Sequence, residues 1–198
     1  MRNTSRHLVI RVLFLEGVLL IVAFVWAWLR KLSLSGAFSM TLGHSLAGLC
    51  IGLFLLGTNY VLVEYGSRSF KFFRTVQGLI ECEISPLFKQ FNLTAIAAVA
   101  LLSGLAEELL FRGVLQAEIG LCFASILFGA AHVWSKAAIA YGVYAAIVGL
   151  FFGITYLWSG NLWTPTLAHM VNNLAALLYY RHTLTHAKKS VVSDQTPL

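Results

Sequence analysis

Six apolar runs, each close to the length that crosses a bilayer, limit what this chain can fold into. A helix needs roughly 20 apolar residues at about 1.5 Å each to span the hydrocarbon layer. Lipid also leaves no water for unpaired backbone groups, which favours helices as the spanning form. The expected spans are Val12–Leu29, Met40–Val63, Thr94–Glu118, Leu121–Trp134, Ala137–Trp158 and Leu162–Arg181, with Asn92 capping the third. The fourth is short. Residues 182–198 read as a polar tail, expected to fray. The fold class is all-α, a polytopic membrane helix bundle in one integral domain over residues 1–198.

Composition agrees with that class. Of 198 residues 59% are hydrophobic and only 11% charged, about half the charged share of a soluble domain. The net charge of +6 does not indicate a nucleic-acid partner, because the basic residues form short clusters between apolar runs. Cys50, Cys82 and Cys122 show no metal or redox spacing, and the two inside apolar runs read as small hydrophobes. The start, MRNTSRHLVIR, resembles a signal peptide, but the run after it is long, ends at Arg30 and Lys31, and offers no cleavage site. It reads as a retained first span.

Charge bias sets an expected orientation. With the N-terminus inside, the inner segments hold Arg2, Arg6, Arg11, Arg68, Lys71, Arg74, Lys89, Lys136, Arg181, Lys188 and Lys189, and the outer loops only Arg30 and Lys31. Both termini are therefore expected in the cytoplasm, of a bacterial inner membrane given the compact chain. Residues 66–92 differ: Phe73, Val76, Ile80, Ile84, Leu87 and Phe91 recur at helical spacing. This predicts an amphipathic helix on the inner membrane surface, broken near Pro86, as a connector or a gate.

The run GLAEELLFRG, residues 104–113, places Glu107, Glu108 and Arg112 within the third span. A central charge costs roughly 2.5–3.5 kcal/mol on the insertion scale, while each large apolar residue returns about 0.3–0.6. The three must therefore avoid lipid. Glu108 and Arg112, four apart, share a face and can pair. Glu107 points elsewhere, beside Ser103 and Gly104. A buried cluster that only locks the bundle remains an alternative, more for the pair than for Glu107.

Other polar groups lie in the spans: His132 in LFGAAHV, His169 and Asn173 four apart in LAHMVNN with Asn172 beside them, and also His44, Asn59 and Glu16. His44 reads as hydrogen-bonded to a neighbour. At about 1.5 Å per residue, Glu107, His132 and Asn173 lie roughly 16–17 Å from the outer ends of their helices, and His169 about 11 Å. They can meet near one level. Such a set can hold a divalent metal such as zinc through Glu107, His132 and His169. It can instead let Glu107 and His132 activate water while His169 and Asn173 stabilise an oxyanion. Either arrangement suits amide hydrolysis, and an HExxH zinc motif is absent.

EELLFRG, then Phe128 to His132 as FGAAH, then His169 to Asn173 as HMVNN, resemble the three motifs of the CPBP family. These are the type II CAAX prenyl endopeptidases and the bacteriocin-processing or immunity (Abi) membrane proteins. The resemblance covers residues 94–180. It implies a four-helix catalytic core over residues 94–181, beside two N-terminal spans and a connector in residues 1–93. It also implies an intramembrane endopeptidase acting on a membrane-associated peptide such as a leader, a C-terminal sorting signal or a CAAX-like end. By this match Glu107 is the base, His132 holds water, His169 and Asn173 stabilise the oxyanion, and Glu108, Arg112 and Phe128 support the site. No cofactor is favoured. The link between the first two motifs is shorter than usual and lacks a basic loop.

Two other functions fit the same residues. A non-catalytic membrane immunity or scaffold protein would keep the cluster for packing. A small transporter would use it as a proton relay, although inverted repeats are absent. Gly149 and Gly153 can mediate dimerisation or, the favoured reading, pack helices within one chain. Oligomeric state is not legible from the sequence.

Overall fold

A computed structural model describes residues 2–89 and 91–193. It is a bundle of helices, with no strand among the described residues. Helix α1 is Arg2–Arg30. Helix α2 is Leu42–Tyr60, capped by Thr41, and continues through a π-helical turn at Val61–Tyr65 and a last turn at Gly66–Ser69. Helix α3, Lys71–Leu79, carries on through Ile80–Ile84 and Ser85–Phe88. Helix α4 is Leu93–Glu108, followed by a π-helical stretch at Leu109–Leu115. Helices α5, Gln116–Ala131, α6, Ile139–Ser159, and α7, Trp163–Ser193, complete the bundle.

The expected Asn92 cap is present: its side chain accepts from Ala95 N at 2.7 Å. The helical rod then runs unbroken to Ile119 and stops at Gly120, whose φ of 80° and ψ of 168° fall where only glycine sits comfortably. There the chain doubles back. Glu107 and His132, about as far before Gly120 as after it, face each other across this turn. The returning helix, residues 121–131, is about 16 Å long at 1.5 Å per residue. It is too short to cross a bilayer, so the fourth span expected to reach Trp134 is a half-span that ends beside His132.

Four helices are long and apolar enough to cross a membrane by length and composition: Arg6–Arg30, Leu42–Ser69, Leu93–Ala131 and Ile139–Ser159. The chain is an integral membrane protein. Helix α7 has the length but less apolar character, because it carries the polar groups turned to the interior. Its described backbone is helical to Ser193. Leu184, Ala187, Lys188 and Lys189 are good helix formers. Residues 194–198 of that tail lie outside the described residues.

Helices α4 to α7 form the centre, with α5 packed on α6 and α4 on α7. Helix α1 lies against α4, and α2 against α7. Pro86 does not break the amphipathic segment as expected. Its missing N–H and its ring are accommodated by the π-helical widening at Ile80–Ile84 just before it. The break falls instead at Phe70, which is extended. Val76 and Ile80 pack on Val63, Tyr141, Tyr144 and Tyr180, while Leu87 is exposed.

The Gly149 and Gly153 pair packs within the chain. Gly149 O accepts from Arg112 Nη2 at 2.7 Å, and Gly153 O accepts from Gln116 Nε2 at 3.1 Å. A methyl group at Gly149 would lie 2.9 Å from Phe128 Cδ1. His44 is bonded to Thr164 at 3.3 Å. The three cysteines are unpaired and exposed.

Candidate active site

The polar groups of α4, α5 and α7 converge on one cavity of about 610 Å³. The π-helical stretch contributes Arg112, which is 1% exposed, next to Glu108, which is fully buried. Arg112 Nε lies 3.1 Å from Glu108 Oε2, as the spacing of four residues predicts. Its guanidinium also sits 4.6 Å from the centre of the Phe128 ring and 5.7 Å from that of Phe152. Aromatic faces and the Gly149 carbonyl thus share a charge that lipid could not hold.

Glu108 has a second partner. Its Oε1 is 2.9 Å from His169 Nδ1. A carboxylate accepts, so Nδ1 carries a proton and Nε2 is the atom left for the cavity. His169 is further held by stacking on Phe152, with ring centres 4.6 Å apart. His132 follows the same pattern: Nδ1 donates to Phe128 O at 2.7 Å, which leaves an Nε2 lone pair. The Phe128 ring lies between the His132 imidazole, 4.7 Å away, and Arg112.

Glu107 stands apart from this network. It is 9% exposed, and its Oε2 is buried without a hydrogen-bond partner. The nearest ionisable contact is His132 Nε2 at 3.9 Å, too long for a hydrogen bond and suited to a bridging water. Asn173 Nδ2 donates to Ser103 Oγ at 3.1 Å. Asn172 Nδ2 donates to Asn173 Oδ1 at 3.4 Å, and Asn59 Nδ2 to Asn172 Oδ1 at 3.0 Å. This chain of amides ties α2 to α7 and α4.

The structure therefore brings Glu107, His132, His169, Asn173, Glu108, Arg112 and Phe128 together, but divides them differently from the sequence reading. His169 is bound to Glu108, and His132 is the histidine that faces Glu107. Among the described residues no three histidine, cysteine, aspartate or glutamate side chains converge to share a metal ion.

Five further residues border the cavity. Asn59 and Asn172 were visible as intramembrane amides, but not as linked. Glu16 of α1 was visible as an ionisable residue in a span, but not as part of the cavity wall. Tyr141 and Tyr144, also on that wall, gave no sequence signal beyond being aromatic. The amphipathic segment adds Ile80, Ile84 and Phe88 to the wall, so it borders the site as well as connecting two spans.

Comparison with known proteins locates the same region. Residues 89–175 match the family model described as type II CAAX prenyl endopeptidase Rce1-like. The uncharacterized protein YpbD of Bacillus subtilis (strain 168) is 36% identical over 85 residues, which cover 43% of this chain and 45% of the relative. The match thus spans about half the length of that curated relative. No solved structure matches the chain.

Proposed function

We propose, because residues 89–175 match the model of the Rce1-like type II CAAX prenyl endopeptidases, that this chain is an intramembrane endopeptidase. Its substrate would be a membrane-associated peptide: a leader, a C-terminal sorting signal or a CAAX-like end. The charge bias supports both termini in the cytoplasm of a bacterial inner membrane.

The observation that carries the reading is Glu107, a buried carboxylate with a partnerless oxygen 3.9 Å from a histidine lone pair, at the wall of a peptide-sized cavity. A water bridging Glu107 Oε2 and His132 Nε2 would lose a proton to Glu107 as its oxygen attacks the scissile carbonyl. Phe128 O and the Phe128 ring keep the His132 lone pair turned inward. The developing oxyanion would receive the free N–H of Asn173. It would also receive Nε2–H of His169 in its imidazolium form, which Glu108 stabilises. Arg112 holds Glu108 in place. No step requires a metal.

The test is cleavage of a fluorogenic, internally quenched peptide library with an apolar anchor by the purified protein in nanodiscs. Glu107→Gln is expected to abolish cleavage without changing thermal unfolding, and a chelator to leave the wild-type rate unaltered. Full activity in Glu107→Gln would refute the reading.

A further inference from the structure

Glu16 sits at the middle of α1, outside the matched residues 89–175. An ionisable side chain at that depth is costly unless it is turned to a cavity or a partner. Glu16 is turned to the cavity: it lines the same wall system as Glu107, His132, His169 and Asn173. Its Oε2 is buried and has no hydrogen-bond partner, as is true of Glu107 Oε2. The packing of α1 on α4 sets both carboxyls on the wall of that one cavity. Arg112 is paired with Glu108, and the ionisable group that faces Glu107 is His132, at 3.9 Å. Two carboxyls in one shielded space are held most easily with one proton.

Two carboxyls on one wall divide the proton work of the reaction: Glu107 takes a proton from water, and either Glu107 or a second acid then gives one up. When the tetrahedral intermediate collapses, the leaving nitrogen needs a proton. His132 has its proton on Nδ1, bound to Phe128 O, while His169 has Nδ1–H on Glu108 and turns its Nε2–H to the oxyanion. The side-chain amides of Asn59, Asn172 and Asn173 are not acids. We propose that Glu16 is a second catalytic carboxyl, which donates that proton.

This rests on the endopeptidase reading, and the step balances. Water oxygen bonds to the carbonyl carbon, the C=O pair moves to oxygen, and one water proton passes to Glu107. The pair then returns, the C–N bond breaks, and the nitrogen takes the Glu16 proton. Transfer of the Glu107 proton to Glu16 restores the starting state, with one water consumed.

The experiment compares two forms of one peptide in nanodiscs. The wild-type cleavage site is first mapped by mass spectrometry, and the peptide is then remade with an ester in place of the scissile amide. An ester's leaving oxygen needs far less help from an acid than an amide nitrogen does. Glu16→Gln is expected to lower kcat on the amide by about 10²–10⁴-fold and on the ester by under about 10-fold, while Glu107→Gln loses both. Wild-type amide cleavage by Glu16→Gln would overturn the proposal, as would equal losses on both substrates. A larger amide-selective loss in Tyr141→Phe would also overturn it, by assigning the proton to that phenol. If Glu16→Gln does not fold, Glu16→Asp decides. It keeps an acid one methylene shorter, so a moderate amide-selective loss supports the role and an unselective one refutes it. A wild-type protein that cleaves neither form would defeat the endopeptidase reading, and this proposal with it.

Discussion

Arg112→Ala should separate what the buried ion cluster does for stability from what it does for chemistry. The substitution removes a guanidinium that is 1% exposed and leaves Glu108, fully buried, with only His169. Three interactions go together: the ion pair at 3.1 Å, the bond to Gly149 O at 2.7 Å, and the contact with the Phe128 ring at 4.6 Å. They share one side chain and do not add. Losing one partner of a buried pair costs about 3–5 kcal/mol. At roughly 2–4 °C per kcal/mol for a chain of this size, Tm should fall by about 6–20 °C. Tryptophan fluorescence or circular dichroism in nanodiscs is the suitable assay, since the exposed cysteines would react with a thiol dye before unfolding. The paired change Glu108→Leu with Arg112→Met removes both charges, and such replacements are neutral or stabilising. Its Tm should return to within about 5 °C of wild type. Cleavage by the double variant should nevertheless be lost, because His169 Nδ1 has no acceptor to orient it. An unchanged Tm in Arg112→Ala would refute the energetic reasoning. Full cleavage by the double variant would refute the positioning role of Glu108.

Gly120→Ala meets no atom within 4 Å, so its cost is purely backbone. It should destabilise by about 1–3 kcal/mol and also lower kcat, because the reversal at Gly120 sets His132 against Glu107. Unfolding and cleavage assays check the two effects. Gly149→Ala places a methyl 2.9 Å from Phe128 and 3.3 Å from Arg112 Nη2. Overpacking of about 1–3 kcal/mol should appear as a lower Tm together with reduced kcat, since Phe128 also holds His132. Asn59→Leu breaks one interhelical amide bond and should cost only about 0.6–1.7 kcal/mol, read as a small fall in Tm.

Much of this architecture was legible because lipid removes the alternatives. A run of apolar residues must become a helix, Asn92 can cap it, and Glu108 with Arg112 must share a face because the helical period leaves no choice. Equal depth even brought Glu107, His132 and Asn173 to one level from separate helices. Rotation of one helix against another was not legible. Depth placed His169 near the glutamates but could not say which of them it faces, and it faces Glu108. Pro86 shows a second limit: proline marks a local conflict, yet a π-helical turn resolved it without a break. Glu16 shows the third. A charge in an N-terminal span announces an interior, but the sequence does not say whose, because that depends on which face of α1 meets α4. Once that face is known, the costliest residue of the first span and the costliest of the third border the same cavity. Each partnerless oxygen then has a chemical reason to be there that neither span supplies alone.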